Sequence, residues 1–268
     1  MADGRKKKFI KELQEKSRVR KESGLFTVDG PKMCREVPVE LVREVYVTES
    51  FLKSSHAEIC SDLLKYKGFE TVTDSDMKQI SDTVTPQGIL VVAEQIKTKG
   101  IRDIVSFNGT DAPLLLILET LQDPGNLGTI IRAAEAAGVT GIIMNDTTAD
   151  VYSPKVVRST MGSLFRVPFI YVTDVIKACD LLKRGEFTEG NKVDILAADL
   201  NGNTDYTLYD YRKPCAFMIG NESKGLSEEA KSCASKRIRI PMEGKVESLN
   251  AAMAATVIGF EAARQRRL

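Results

Sequence analysis

Long apolar stretches are missing from this 268-residue chain: no run of 18 or more apolar residues occurs, so no transmembrane helix is expected. Histidine is nearly absent, with His56 alone. The five cysteines (Cys34, Cys60, Cys179, Cys215 and Cys233) are scattered without a CxxC pair. No zinc site is therefore expected, and the odd, irregular cysteine set reads as free thiols in a reducing cytosol. No GxG occurs either, which leaves the usual dinucleotide or methyltransferase glycine loop without a candidate. The Walker spacing GxxxxGK[ST] is also absent. No apolar segment follows the basic opening Met1-Ala2-Asp3-Gly4-Arg5-Lys6-Lys7-Lys8, so a secretory signal is not expected and the chain is read as cytoplasmic.

Net charge is only +1, which by itself neither favours nor excludes nucleic acid. Its distribution is more informative. Residues 1–22 hold nine Lys/Arg against four Asp/Glu, and the chain ends Arg264-Gln265-Arg266-Arg267. Basic ends on a neutral body suit phosphate contacts, with Arg18, Arg20 and Lys21 as candidates. Solvated tails that keep the chain soluble account for the same charges.

Residues 9–22 carry a thin helical stripe (Phe9, Ile10, Leu13, Val19), and Val45–Val47 and Ile89–Ala93 read as buried strands. Residues 97–112 are polar and Gly-containing, which places a domain boundary near residue 108: a smaller α/β domain over 1–108 and a larger one over 109–268. In the larger part, continuous apolar runs at 114–118, 140–144, 167–172, 193–198, 216–219 and 238–240 alternate with helical patterns at 127–137, 174–184, 225–234 and 247–264. Such runs suit strands covered on both faces, so the fold class is α/β with a mostly parallel sheet.

Three strand–loop–helix junctions carry the chemistry. The first runs Asp123-Pro124-Gly125-Asn126-Leu127-Gly128 and leads to Arg132, with Asn126 expected as the N-cap. A cation so early in a helix opposes the macrodipole. It either pairs with Glu135 on the surface or projects toward an anionic substrate group. The second, Gly220-Asn221-Glu222-Ser223-Lys224-Gly225-Leu226, ends a strand at a glycine, where backbone can approach a ligand closely, and offers the Glu222 carboxylate. The third passes from Ile240-Pro241-Met242 to Ser248-Leu249-Asn250, expected at the very start of the last helix, where free N–H groups gather.

Together these residues resemble the SpoU family of RNA ribose 2′-O-methyltransferases, within the SPOUT class. Asn126, Gly128 and Arg132 match its first motif. Gly220, Glu222, Gly225 and Leu226 match its second, and Ile240, Pro241, Met242, Ser248, Leu249 and Asn250 its third, in family order over residues 113–263. Arg18 to Glu36 and Gln87-Gly88-Ile89 resemble that family's substrate-binding extension, a small domain related to a ribosomal protein. The resemblance implies a trefoil-knotted C-terminal part that holds S-adenosyl-L-methionine. The pocket expected is Gly220, Ile240 and Leu249, with Ile219, Met242 and Ser248 and the strand end Leu196, Ala197 and Ala198. It also implies a homodimer with the active site at the subunit interface, closely packed through the alanine-rich last helix.

The sulfonium of that donor already activates the methyl, so the protein's tasks are alignment, able to lower a barrier by about 7–11 kcal/mol, and removal of the hydroxyl proton. The resemblance gives the second task to Arg132, with Asn126, Glu222, Ser248 and Asn250 orienting it and the ribose. An arginine is a reluctant base, with a pKa above about 12. Binding a phosphate and polarising the hydroxyl suits it better. Arg158 is a further candidate phosphate contact. No metal is expected. Ribosomal RNA is the expected substrate over transfer RNA, because the extra front domain is typical of ribosomal-RNA members. A catalytically silent RNA-binding or ribosome-assembly factor and a small-molecule enzyme are the alternatives.

Overall fold

The computed structural model describes residues 4–98, 100–105, 112–187 and 190–268. The chain folds as two compact units, Met1–Lys97 with Asp150–Phe165, and Thr98–Ala149 with Arg166–Leu268. The boundary expected near residue 108 lies outside the described residues. The grouping of Asp150–Phe165 with the first unit has no counterpart in a linear division of the sequence.

In the first unit, α1 (Gly4–Glu15) and α2 (Ser17–Ser23) precede β1 (Leu25–Asp29), α3 (Pro31–Cys34), β2 (Val42–Thr48), α4 (Glu49–Leu52), α5 (His56–Ile59), α6 (Ser61–Lys67), β3 (Glu70–Val72), α7 (Asp74–Ile80) and β4 (Ile89–Glu94). The helical stripe of residues 9–22 is therefore two helices. Lys16 between them is extended (φ −117°, ψ 110°), and Gly24 ends the second with a left-handed cap (φ 66°). The strands form one sheet in the order β1-β4-β2-β3, antiparallel except for β2 with β3. Ile10 and Leu13 of α1 pack with Tyr46, Met77, Ile80, Leu90 and Val92.

The second unit contains α8 (Ile101–Val105), β5 (Leu114–Leu118), α9 (Pro124–Ala136), β6 (Gly141–Asn145), β7 (Phe169–Val172), α11 (Val175–Arg184), β8 (Asp194–Ala198), β9 (Thr204–Asp205), β10 (Cys215–Ile219), α12 (Glu228–Cys233), β11 (Lys236–Arg239) and α13 (Ala251–Arg266). The intervening helix α10 (Pro154–Thr160) groups with the first unit. All seven strands run parallel, in the order β7-β6-β5-β10-β8-β11-β9.

The continuous apolar runs follow from burial on both faces. Leu115, Ile117, Ala216 and Met218 pack with Val175, Cys179 and Leu182 of α11 and with Ala230 and Cys233 of α12. On the other face α13 packs against α9 and β10. A Cβ at Gly259 would stand 3.2 Å from the Ala137 Cβ and 3.8 Å from the Phe217 ring, so a small residue is needed where α13 crosses. Among the described residues, no helix is long and apolar enough to cross a membrane.

Parallel pairing fixes where a site can form. The register sets Ile219 opposite Leu118, Met218 opposite Ala197, and Ala198 opposite Ile238. The carboxyl ends of β5, β10, β8 and β11 therefore share one edge, where ligands bind in open parallel sheets.

Candidate active site

Local chemistry at the first junction differs from the expectation for Asn126. Pro124 occupies the first turn of α9, and Asp123 is the N-cap, its carboxylate accepting from the Asn126 N–H at 2.7 Å. The Asn126 amide is thus released from capping. It donates to Glu222 Oε1 at 3.1 Å, and its oxygen accepts from the Asn250 side chain at 2.9 Å. Asn250 in turn caps α13, accepting from the N–H groups of Ala252 (2.9 Å) and Met253 (3.3 Å).

The result is a polarised relay from the N-terminus of α13 through Asn250 and Asn126 to the Glu222 carboxylate. Every link runs donor to acceptor in the same sense, an arrangement in which neighbouring bonds strengthen one another. Ser248 lies two residues before the Asn250 cap, in the loop ahead of α13, rather than in the helix as expected.

Glu222 is held from more than one side. Its carboxylate also accepts from the backbone N–H groups of Asp123 (2.9 Å) and Gln122 (3.3 Å). Burial works to raise its pKa, but these N–H groups and the Asn126 amide outweigh that, and the carboxyl sits below its ordinary value of 4.5.

The loop presenting Glu222 is a tight turn. Asn221 and Gly225 exchange backbone hydrogen bonds at 3.0 and 2.9 Å, Gly225 has φ 68°, and a Cβ at Gly220 would fall 2.3 Å from the Gly225 carbonyl carbon. That turn is why the helix expected over 225–234 begins only at Glu228, capped by Ser227. The Ser227 hydroxyl in turn donates to Glu119 at 2.7 Å.

Beside this relay, a cavity of about 330 Å³ opens at the strand ends. Of the residues expected to hold a cofactor, Ala198, Ile219, Gly220, Ile240, Met242, Ser248 and Leu249 line it, together with Glu222. Leu196 and Ala197 do not. Both are fully buried inside β8, where the neighbouring strands occupy their edges. Asp199, Leu200, Asn201, Lys224 and Lys231 also line the cavity and were not anticipated. Asn201-Gly202 just beyond a strand end was a readable turn signal for part of that wall.

Arg132 stands on the exposed face of α9 and is not among the cavity-lining residues. The surface pairing with Glu135 does not form, because Glu135 is engaged by Arg166 (Nη2–Oε2 3.3 Å). Among the described residues no hydrogen bond or ion pair holds the Arg132 guanidinium.

The other candidate RNA contacts, all in the first unit, divide sharply. Arg20 is a correction: it is 4% exposed, pairs with Asp150 at 2.7 Å and donates to the Leu13 carbonyl, so its charge is not available to a phosphate. Arg158, on α10, is ion-paired with Asp82 at 2.6 Å. Arg18 pairs with Glu22 on an open surface, and Lys21 is exposed.

None of the five cysteines is among the cavity-lining residues. All five thiols are free and buried, and burial pushes Cys60 up to about 11 and Cys215 up to about 12, well above neutral pH.

The cavity fits S-adenosylmethionine. Gly220, Ile240 and Leu249 line it together with the apolar residues Ile219, Ile238 and Met242. Polar groups, among them Asp199, Asn201 and Glu222, suit the mixed surface of a nucleoside joined to an amino acid.

Comparison with known proteins gives the same picture. Residues 113–260 match the SpoU rRNA Methylase family, and residues 5–91 match the MRM3-like substrate binding domain. A Streptomyces viridochromogenes 23S rRNA (uridine(2479)-2′-O)-methyltransferase is 41% identical over 143 residues, 53% of this chain; the matched region spans half that relative's length. The 23S rRNA (guanosine-2′-O-)-methyltransferase RlmB of Xylella fastidiosa is 33% identical over 87% of this chain and 92% of its own. The crystal structure of the SpoU methyltransferase AviRb from Streptomyces viridochromogenes, in complex with the cofactor AdoMet, superposes with a TM-score of 0.85 at 29% identity, covering 99% of each chain. The chain belongs to the SpoU rRNA methylase family.

Proposed function

We propose that this protein transfers the methyl group of S-adenosylmethionine to a ribose 2′-hydroxyl of RNA, with ribosomal RNA the substrate. The observation that carries this reading is the meeting of three sequence-distant loops at one sheet edge, where the Asn250–Asn126–Glu222 relay borders a cavity lined by residues 198–201 and 219–226 and by Ile238, Ile240, Met242, Ser248 and Leu249. The relatives named as 23S rRNA 2′-O-methyltransferases support the choice of RNA.

Bound in the cavity, the cofactor supplies a methyl already activated by its sulfonium. The chain's own task is to bring a ribose hydroxyl into line with it and to draw off the proton. Arg132, exposed on α9, binds the RNA phosphate and polarises the hydroxyl, a role that suits a planar fork of donors. Glu222, Asn126 and Asn250 fix the loops around it. Ser248 and Leu249 close the cofactor side.

The same reading includes a homodimer that completes the site. Two features support it. Arg132 is exposed, and Met253 (58% exposed) and Phe260 (44%) lie two turns apart on α13, an apolar stripe on a helix whose other face is buried. A trefoil threading of the C-terminal part belongs to it too. The insertion of β10 between β5 and β8, followed by β11 on the far side of β8, supports that path. Residence in the cytosol is consistent with the five unpaired, buried thiols.

The test is incubation of the purified protein with labelled S-adenosylmethionine and unmodified ribosomal RNA, followed by mapping of the label. A single 2′-O-methylated nucleotide is expected. Cofactor binding by calorimetry without any transfer to ribosomal or transfer RNA would overturn the assignment in favour of a silent RNA-binding factor.

A further inference from the structure

Thr120, just past the end of β5, has φ 57°. For a β-branched residue the left-handed region is strained, at a cost of order 1–3 kcal/mol, and such a conformation persists only where its surroundings over-determine it. Here they do. The Thr120 N–H donates to Asn145 Oδ1 at 2.8 Å, and the Asn145 amide donates back to Thr120 Oγ1 at 3.0 Å. The Thr120 carbonyl accepts from the Asn221 side chain at 2.9 Å.

Asn145, at the end of β6, is itself fixed, accepting from the Thr148 hydroxyl at 2.8 Å and, through its carbonyl, from the Thr148 N–H at 3.0 Å. The turn enforced at Thr120 sets the path of the next residues, whose N–H groups at Gln122 and Asp123 bind Glu222.

We infer that Asn145 is a positioning residue for methyl transfer: by clamping Thr120 in a left-handed turn it aims the Gln122 and Asp123 N–H groups at Glu222, and so sets the Asn126–Asn250 relay. The inference rests on the methyltransferase reading for its kinetic consequence, but not for its structural one. Loss of the clamp lets Thr120 relax to a favoured conformation and moves the 121–123 backbone away from Glu222. The cofactor cavity takes most of its lining from outside the 119–123 segment, among it Ala198, Ile240, Met242 and Leu249, and is less affected. The effect therefore falls on kcat more than on KM for the cofactor. Glycine adopts the same φ without strain and needs no clamp.

The deciding experiment compares Asn145→Ala with the double variant Asn145→Ala/Thr120→Gly, with Thr120→Gly as reference. For Asn145→Ala, kcat is expected to fall about tenfold or more, with KM for S-adenosylmethionine changed less than threefold. Amide exchange at Gln122 and Asp123 should accelerate. In the double variant both kcat and slow exchange should largely return, which a lost side-chain contact would not allow. Unchanged exchange in Asn145→Ala, or no recovery on adding Thr120→Gly, overturns the clamp. The exchange readout needs no activity. A wild-type protein that transfers no methyl would sink the functional reading while leaving the clamp to be decided by exchange alone.

Discussion

The two units treat their charged groups in opposite ways. In the four-stranded unit, Arg20 and Arg158 are consumed by Asp150 and Asp82, and Arg20 is itself buried. In the seven-stranded unit, Arg132 is left exposed on α9, and the polar side chains around Glu222 are bound into a directional chain. Arg20 and Lys21 are neighbours on α2, yet one is buried and the other exposed, so place in the sequence does not settle availability to a phosphate. Desolvation and the nearest carboxylate decide, and neither is visible along the chain.

That contrast is breakable. The largest effect should come from Arg20→Ala, which removes a buried cation from the half-buried Asp150 carboxylate and from the Leu13 and Gln14 carbonyls: about 3 kcal/mol of stability lost in denaturant unfolding. The matching change Arg18→Ala should cost less than about 0.5 kcal/mol, because the Arg18–Glu22 pair is solvent-exposed. Comparable losses for the two would remove the distinction.

In the other unit, Arg132→Lys should leave the melting temperature unmoved and slow methyl transfer about hundredfold, since a point charge does not replace a planar fork. Rates near wild type would take Arg132 out of the reaction.

A smaller effect is expected at the cap. Asn250→Ala removes the acceptor for Ala252 and Met253 and should cost about 1 kcal/mol of stability, with a larger proportional loss of activity because the relay to Asn126 ends there. Equal proportional losses would reduce Asn250 to a helix cap.

Acid sharpens the same point. Glu222 has a folded pKa below its unfolded value, so its contribution is complete above about pH 4.5 and is lost as pH falls through the lower folded value. The Asp123 amide proton, followed by NMR, should report that titration below 4.5; a midpoint above it would mean that burial outweighs the hydrogen bonds.

The least effect is electrostatic. Lys21→Ala should lower the slope of log affinity for RNA against log salt by up to about 0.9, whereas Arg20 substitutions that still fold should not change it.

Much of this architecture is legible along the chain. Leu114–Leu118 reads as a buried strand and is β5 to the residue, because a strand covered on both faces carries no polar interruption. The two shortest strands are not legible. Thr204–Asp205 is a two-residue partner of β11, and Glu70–Val72 is exposed enough to look like loop. Leu25–Asp29 carries a strand-like run, but its pairing with Ile89–Glu94 lies more than sixty residues away. At the site, the turn at Gly220, the proline before Met242 and the Asn126–Arg132 spacing are visible as motifs. The wiring is not, since capping moves from Asn126 to Asp123 only once Pro124 takes the first turn.

The sequence by itself determined the alternation of strand and helix, the glycines where backbone must approach backbone, and the polar residues stationed at strand ends, because these are short-range consequences of sterics and apolar burial. Tertiary structure alone decided that β10 enters between β5 and β8, that Asn126 meets both Glu222 and Asn250, and that Arg20 is buried while Arg132 stays exposed. Those outcomes depend on which distant groups share a desolvated neighbourhood, and pairing across about a hundred residues is chosen by the packing of the whole sheet rather than by any local preference.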